Sequence, residues 1–148
     1  MGASNWTYWT EYTEDIHDAL DQLQQEVFEE GDYVSPWDAP DDYSPASMEK
    51  LLENCGDSGT HSILDIEGAS REPVQHEDTW EDQFLTIFPL TRGQLRRIFE
   101  TTRPTREEIE ENEHELAKIE LGDWSGRWII AYEDDKPAYY YIFGASGD

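Results

Sequence analysis

From Asn5 to Tyr12 (NWTYWTEY) large and polar side chains alternate, and this period of two in a Thr- and aromatic-rich stretch predicts a first strand. The period then changes. Ile16, Ala19, Leu20, Leu23, Val27 and Phe28 recur at helical spacing, predicting a helix from Thr13 or Glu14 to about Glu30, with Gly31 placed for a C-terminal cap. Residues 32–45 hold three Pro and four Asp and read as irregular loop. A short helix follows from about Pro45 to Asn54, with Met48, Leu51 and Leu52 on its inner side.

The run Gly59–Ile66 (GTHSILDI) reads as a central strand: Gly59 makes a sharp turn, Ile63 and Ile66 are β-branched, and Leu64 lies between them, although a run this short also fits a buried helix segment. Residues 68–81 form a polar loop, and Gln83–Leu90 a third strand whose Pro89 belongs at an edge or a strand end. Thr91 with Gln94 has capping-box spacing and opens a short helix with Leu95, Ile98 and Phe99 inward. Thr105 with Glu108 repeats that spacing ahead of a helix to about Leu121, whose apolar stripe (Ile109, Leu116, Ile119) is narrow. Arg127–Glu133 and Ala138–Phe143 flank residues 134–137 as a hairpin with a turn of about four residues. The pattern predicts a single α+β domain over residues 1–148. It has one mostly antiparallel sheet of about five strands, a long helix packed on one face and shorter helices around it.

Composition changes the picture in two ways. Hydrophobic content of 36% is low against an ordinary share of about 45–50%, but aromatics at 13% restore buried area. The formal net charge is −25. Residues 1–90 carry 22 acids and two bases, residues 91–106 five Arg and one Glu, and residues 107–148 twelve acids and three bases. Such a field repels phosphate backbones, so no nucleic-acid partner is expected; it favours a basic protein partner or solubility in high salt. Cys55 stands alone, without a possible internal disulfide or Cys-based zinc site. No signal-peptide pattern and no long apolar run are visible, so no membrane association is expected and the cytoplasm is the expected location.

Candidate chemistry centres on Thr60, His61, Ser62 and Asp65. On a regular strand His61 and Asp65 share one face, as an oriented base or half a metal site, while Thr60 and Ser62 share the other. Against this stands the plainer reading of a histidine satisfied by hydrogen bonds at the start of a strand. The remaining histidines have helical or loop neighbours (His17 with Asp21, His114 with Glu110, His76 with Glu77 and Asp78) but no zinc spacing, so no metal is expected. Phosphate-loop, dinucleotide and nucleophile-elbow motifs are absent, so no cofactor is expected.

Arg92, Arg96, Arg97, Arg103 and Arg106 fall within 15 residues and are half of all Lys and Arg. They are candidates for an anion site, set against the simpler expectation that they neutralise the protein's own acids. Trp37, Trp80 and Trp124 lie outside clear periodic elements and are candidates for contact with a partner.

The opening MGAS-N-W-x-Y, the central GTHSILDIE, the LTRGQLRRIF segment and the closing YIFGASGD together resemble a group of small uncharacterised bacterial proteins. The resemblance runs nearly end to end and implies one intact domain; it implies no activity, ligand or catalytic residue. Three functions follow as expectations. The first is a non-enzymatic acidic interaction protein, of inhibitor or immunity type, that binds a basic partner. The second is a small enzyme or anion-binding protein using His61, Asp65 and the arginine cluster. The third is a housekeeping domain whose charge is salt adaptation alone.

Overall fold

The computed structural model describes residues 4–75 and 77–147. The fold is α+β. In chain order the strands are β1 (Ser4–Glu11), β2 (Gly68–Ala69), β3 (Thr86–Pro89), β4 (Ser125–Glu133) and β5 (Lys136–Ser146). The helices are α1 (Ile16–Glu30), α2 (Met48–Cys55), α3 (Trp80–Gln83), α4 (Arg92–Phe99), α5 (Arg106–Glu111) and α6 (Glu113–Leu116).

The five strands form one mixed sheet in the order β1-β5-β4-β3-β2, which corrects the mostly antiparallel expectation. β1 and β4 flank β5 antiparallel, whereas β4 with β3 and β3 with β2 pair parallel. The reason lies in the connections. Between β3 and β4 the chain runs through α4, α5 and α6, and a crossover through helices returns the next strand parallel to the last. The hairpin at the end of the chain dictates only its own half of the sheet. Its turn is tighter than expected: Glu133 pairs with Lys136, and Asp134 and Asp135 take φ of 53° and 64°, as a two-residue type I′ turn requires.

Alternation along the strands divides the core in two. Trp6, Ile87, Tyr140 and Ile142 face a layer built from α1, α2 and residues 63–66. Ile129, Ala131, Tyr141 and Phe143 face α4, α5 and α6. α1 is held at its start by Asp15, whose side chain accepts from His17 N, and stops at Gly31, where φ of 72° suits glycine. At 15 residues it is four turns rather than the long helix expected. The last predicted helix is broken at Asn112 (φ −113°), whose amide Nδ2 donates to Glu108 O at 2.8 Å, giving α5 and α6. α3 stands where polar loop and the start of the third strand were expected, closed by a Thr79–Asp82 capping box. Pro89 is the final residue of β3, where its missing N–H costs no ladder bond.

Candidate functional site

The run predicted as the central strand is a turn. Gly59 takes φ 69°, His61 φ 54°, and Ile63–Asp65 form one turn of 3-10 helix. The residue types explain this outcome. Ser62 caps the turn by accepting from Leu64 N, and Asp65 reaches back to Ser62 N (3.4 Å), so side chains satisfy backbone groups that a strand would give to a neighbour. Gly59 is required twice over, by its positive φ and because a Cβ there would stand 2.6 Å from the Trp124 ring. From α1, Gln24 Nε2 donates to Ile63 O (3.0 Å) and Ile66 O (2.7 Å) and clamps the turn onto the helix.

Asp65 is the hub. Its Oδ1 accepts from Thr60 N (2.7 Å) and Thr60 Oγ1 (2.9 Å); its Oδ2 accepts from Ser62 N and from Ser146 Oγ (2.9 Å) at the end of β5. Thr60 thereby spends its one hydroxyl proton on Asp65, so the 2.6 Å contact between the Thr60 and Ser62 hydroxyls is donated by Ser62. Trp6 Nε1 donates to Ser146 Oγ at 3.1 Å and extends the network into the sheet. Thr60, Ser62 and Ser146 are 0–1% exposed. With the strand absent, His61 and Asp65 do not share a strand face. As arranged, Thr60, Ser62 and Asp65 brace the turn, with the Thr60 and Ser62 hydroxyls buried and engaged in hydrogen bonds within it.

Beside this knot lies a cleft of about 690 Å³, lined by Met48, Leu52, Leu64, Phe84 and Trp124 together with Asp57, Asp65 and Glu67. Among the described residues three carboxylates and no Lys or Arg line it. Leu52 and Phe84 stand on its walls unusually exposed for apolar residues, at 37% and 38%. Trp80 packs against Phe84 with ring centroids 4.9 Å apart and planes tilted by 49°, is half exposed, and lies against Gly122. Trp124 is half-buried between Gly59 and Gly147, while Trp37 projects from the Pro/Asp loop at 93% exposure. The three candidate tryptophans therefore differ: Trp37 is free-standing, Trp80 borders the cleft's apolar wall, and Trp124 is its floor. Close by, burial pushes the Cys55 thiol up, with the Asp65 charge adding to the shift.

The arginines predicted as one cluster are dispersed. Arg106 alone of the five has an ion-pair partner among the described residues, Glu110 at 3.5 Å, and its guanidinium also lies 4.4 Å from the Trp9 ring centre. Arg103 sits over Tyr132 and with Arg92 lines a cavity of about 450 Å³ that holds no carboxylate among the described residues. Arg97 lines a separate cavity with Lys118 and Arg127, and Arg96 is exposed on α4. Among the described residues one of the five is in direct ion-pair contact with the protein's own acids, and the Arg97 charge also acts on the Glu115 carboxyl.

The His17 ring pairs with Asp15 (2.9 Å) rather than Asp21, and Arg71 reaches the same carboxylate at 2.9 Å; the His17 backbone N–H first, then the His17 ring and Arg71, hold the Asp15 carboxyl well below the usual range. His114 faces Glu115, and His76 lies outside the described residues. Among the described residues no three His, Cys, Asp or Glu side chains gather as a metal site. No helix among them is long and apolar enough to cross a membrane.

No protein-family model, no curated protein and no solved structure matches this chain. What the cleft can do follows from its own side chains: it offers carboxylates to a cation and apolar walls to the aliphatic or aromatic part beside it. Asp57, Glu67 and Phe84 were not singled out from the sequence, and Leu52, expected on the inner side of its helix, is instead exposed on the cleft wall. The one signal that could have found the turn was the Ser62-x-x-Asp65 capping spacing inside the apolar run.

Proposed function

We propose that the protein is a non-enzymatic binding protein for a basic protein partner, and that a Lys- or Arg-bearing segment of that partner seats in the cleft beside Asp65. The observation that carries this reading is the cleft's combination of exposed Asp57 and Glu67, with no basic side chain among the described residues, and of exposed Leu52 and Phe84 on its walls. A long cationic side chain needs both, since its methylenes pack on apolar surface while its charged head meets a carboxylate. The net charge of −25 would steer a basic partner toward this surface and repel acidic competitors. Trp37, projecting from the acidic loop, and Trp80 beside Phe84 supply rigid aromatic contacts of the kind that anchor interfaces.

The test uses proteins captured from the native cell at low salt, rebound to the purified wild type and to an Asp57→Asn/Glu67→Gln double variant. Both positions are exposed, so the variant should melt like the wild type. The specific partner should bind the variant about tenfold or more weakly, and Phe84→Ser should weaken it through slower association or faster release without a change in fold. Capture that is indifferent to all three substitutions, or that consists of acidic proteins, would overturn the reading.

A further inference from the structure

On the opposite side of the sheet from this cleft, Arg127 is 7% exposed within β4. A buried guanidinium ordinarily has a carboxylate beside it. Here, among the described residues, it has none. Its protein partners are neutral: Nη1 donates to Gly126 O (2.8 Å) and Ser125 Oγ (3.4 Å), and Nη2 donates to Gln83 Oε1 (3.0 Å). Phe88 lies beneath its plane, 5.6 Å to the ring centre. Burial with no compensating charge pushes its pKa down to about 10, so it remains a cation at neutral pH.

Arg127 also lines a cavity of about 370 Å³ that carries Arg97 from α4, Lys118 from the segment after α6, and one carboxylate, Glu120. Three cations and one carboxylate line it among the described residues; with Glu115, which pairs with Lys118, the balance at the site is one positive charge, in a chain whose net charge is −25. Lys118 is tied to Glu115 at 3.1 Å, but Arg97 has no ion-pair partner among the described residues. Gln94 lines the same space. Its Oε1 is spent accepting from Thr91 N (2.9 Å) in the capping box, and its Nε2 has no acceptor among the described residues, which leaves an amide donor available.

We propose that this cavity binds a small phosphate-type dianion, either inorganic phosphate or the phosphate of a small phosphomonoester, with Arg127 as its floor and Arg97 and Lys118 at its sides. Such an anion supplies the counter-charge that buried Arg127 lacks, and the forked guanidinium donors of Arg127 and Arg97 match its oxygens. Donors from α4, β4 and the segment after α6 suit a tetrahedral group better than a planar monocarboxylate, which presents only two oxygens.

The experiment is a titration followed by calorimetry and by phosphorus NMR, at ionic strength held constant with KCl because screening alone acts on so charged a protein. Inorganic phosphate should bind saturably and raise the melting temperature, and acetate should do neither. Arg97→Gln and Lys118→Gln change exposed positions and should leave the fold intact while weakening phosphate about tenfold each. Glycerol phosphate bound as well as phosphate, or better, marks a phosphomonoester as the ligand; glycerol phosphate excluded marks the free anion. Absence of saturable binding, binding unchanged by Arg97→Gln, or acetate bound as tightly as phosphate would each overturn the proposal. Arg127→Gln adds the floor to the test where it folds, and the two exposed variants decide the question without it.

Discussion

Asp65 and Arg127 are buried charges of opposite sign on opposite faces of one sheet, and neither has a counter-ion among the described residues. They are solvated by protein dipoles to different degrees. Asp65 receives two backbone N–H groups and two hydroxyls, close to the number of hydrogen bonds a carboxylate collects in water. Arg127 has five N–H donors and meets three neutral acceptors, one of them at 3.4 Å. The carboxylate is thus a finished structural part, and its network ties the turn, β5 and Trp6 together. The guanidinium is an unfinished one, open to a cavity that carries more positive charge. A buried charge whose shell is complete explains architecture; one whose shell is incomplete points to a ligand.

The substitution that most directly tests this contrast is Asp65→Ala. It strands Thr60 N, the Thr60 hydroxyl and the Ser146 hydroxyl, all buried, and frees the turn that Gln24 clamps. With about 1–3 kcal/mol for each buried donor left unmade, the variant should lose about 3–5 kcal/mol in urea unfolding. Asp65→Asn keeps an acceptor and should lose less. A loss below about 1 kcal/mol for Asp65→Ala would mean that the knot does not hold the fold.

A smaller effect separates the two faces by pH. Tyr140 and Tyr141 are neighbours in β5 pointing to opposite sides, and burial raises both phenols, Tyr141 to about 12. A group whose folded pKa lies above its unfolded value near 10 contributes stability that is intact below pH 10 and is lost as pH rises through the folded value. Arg127 has the opposite sign, since its folded pKa is depressed and stability rises as it deprotonates. Tyr141→Phe removes the tyrosine contribution and leaves Arg127 in place. Between pH 9 and pH 11 the wild type should therefore lose about 1 kcal/mol relative to Tyr141→Phe, read as the difference between their urea unfolding energies at the two pH values. Parallel pH dependences for the two proteins would remove the tyrosine side of the comparison.

Much of this arrangement was legible in the residues. The helical period of Ile16–Val27, the caps at Thr91 and Thr105 and the terminal hairpin all place elements where they occur, because each is a local device whose side chains satisfy nearby backbone. Gly59–Ile66 misled because an apolar run is neutral between strand, helix and buried turn, and the deciding donors, Gln24 and Ser146, come from distant parts of the chain. The mixed sheet escaped for a similar reason: strand direction depends on which connection crosses a face, not on the strands' own pattern. Arg127 gave no signal at all. It sits in an apolar strand beside four other strand-forming residues, and only burial without a carboxylate sets it apart from the five arginines that drew attention by their spacing.

The smallest expected change is the most informative about Arg127. Arg127→Met removes a charge that burial disfavours, keeps a long unbranched chain over Phe88, and gives up three hydrogen bonds to neutral acceptors. The Gln83 amide, half-buried, can turn to water once released, which limits the cost. Lost hydrogen bonds and relieved desolvation oppose one another, so in phosphate-free buffer the variant should unfold within about 1 kcal/mol of the wild type. Saturating phosphate should then open a gap between them, because only the wild type retains the floor of the site and gains stability from the ligand. The same comparison at Asp65 should show no dependence on phosphate. A loss near that of Asp65→Ala in phosphate-free buffer would mean that three neutral acceptors solvate the guanidinium as fully as four donors solvate the carboxylate, and the asymmetry between the two faces would be gone.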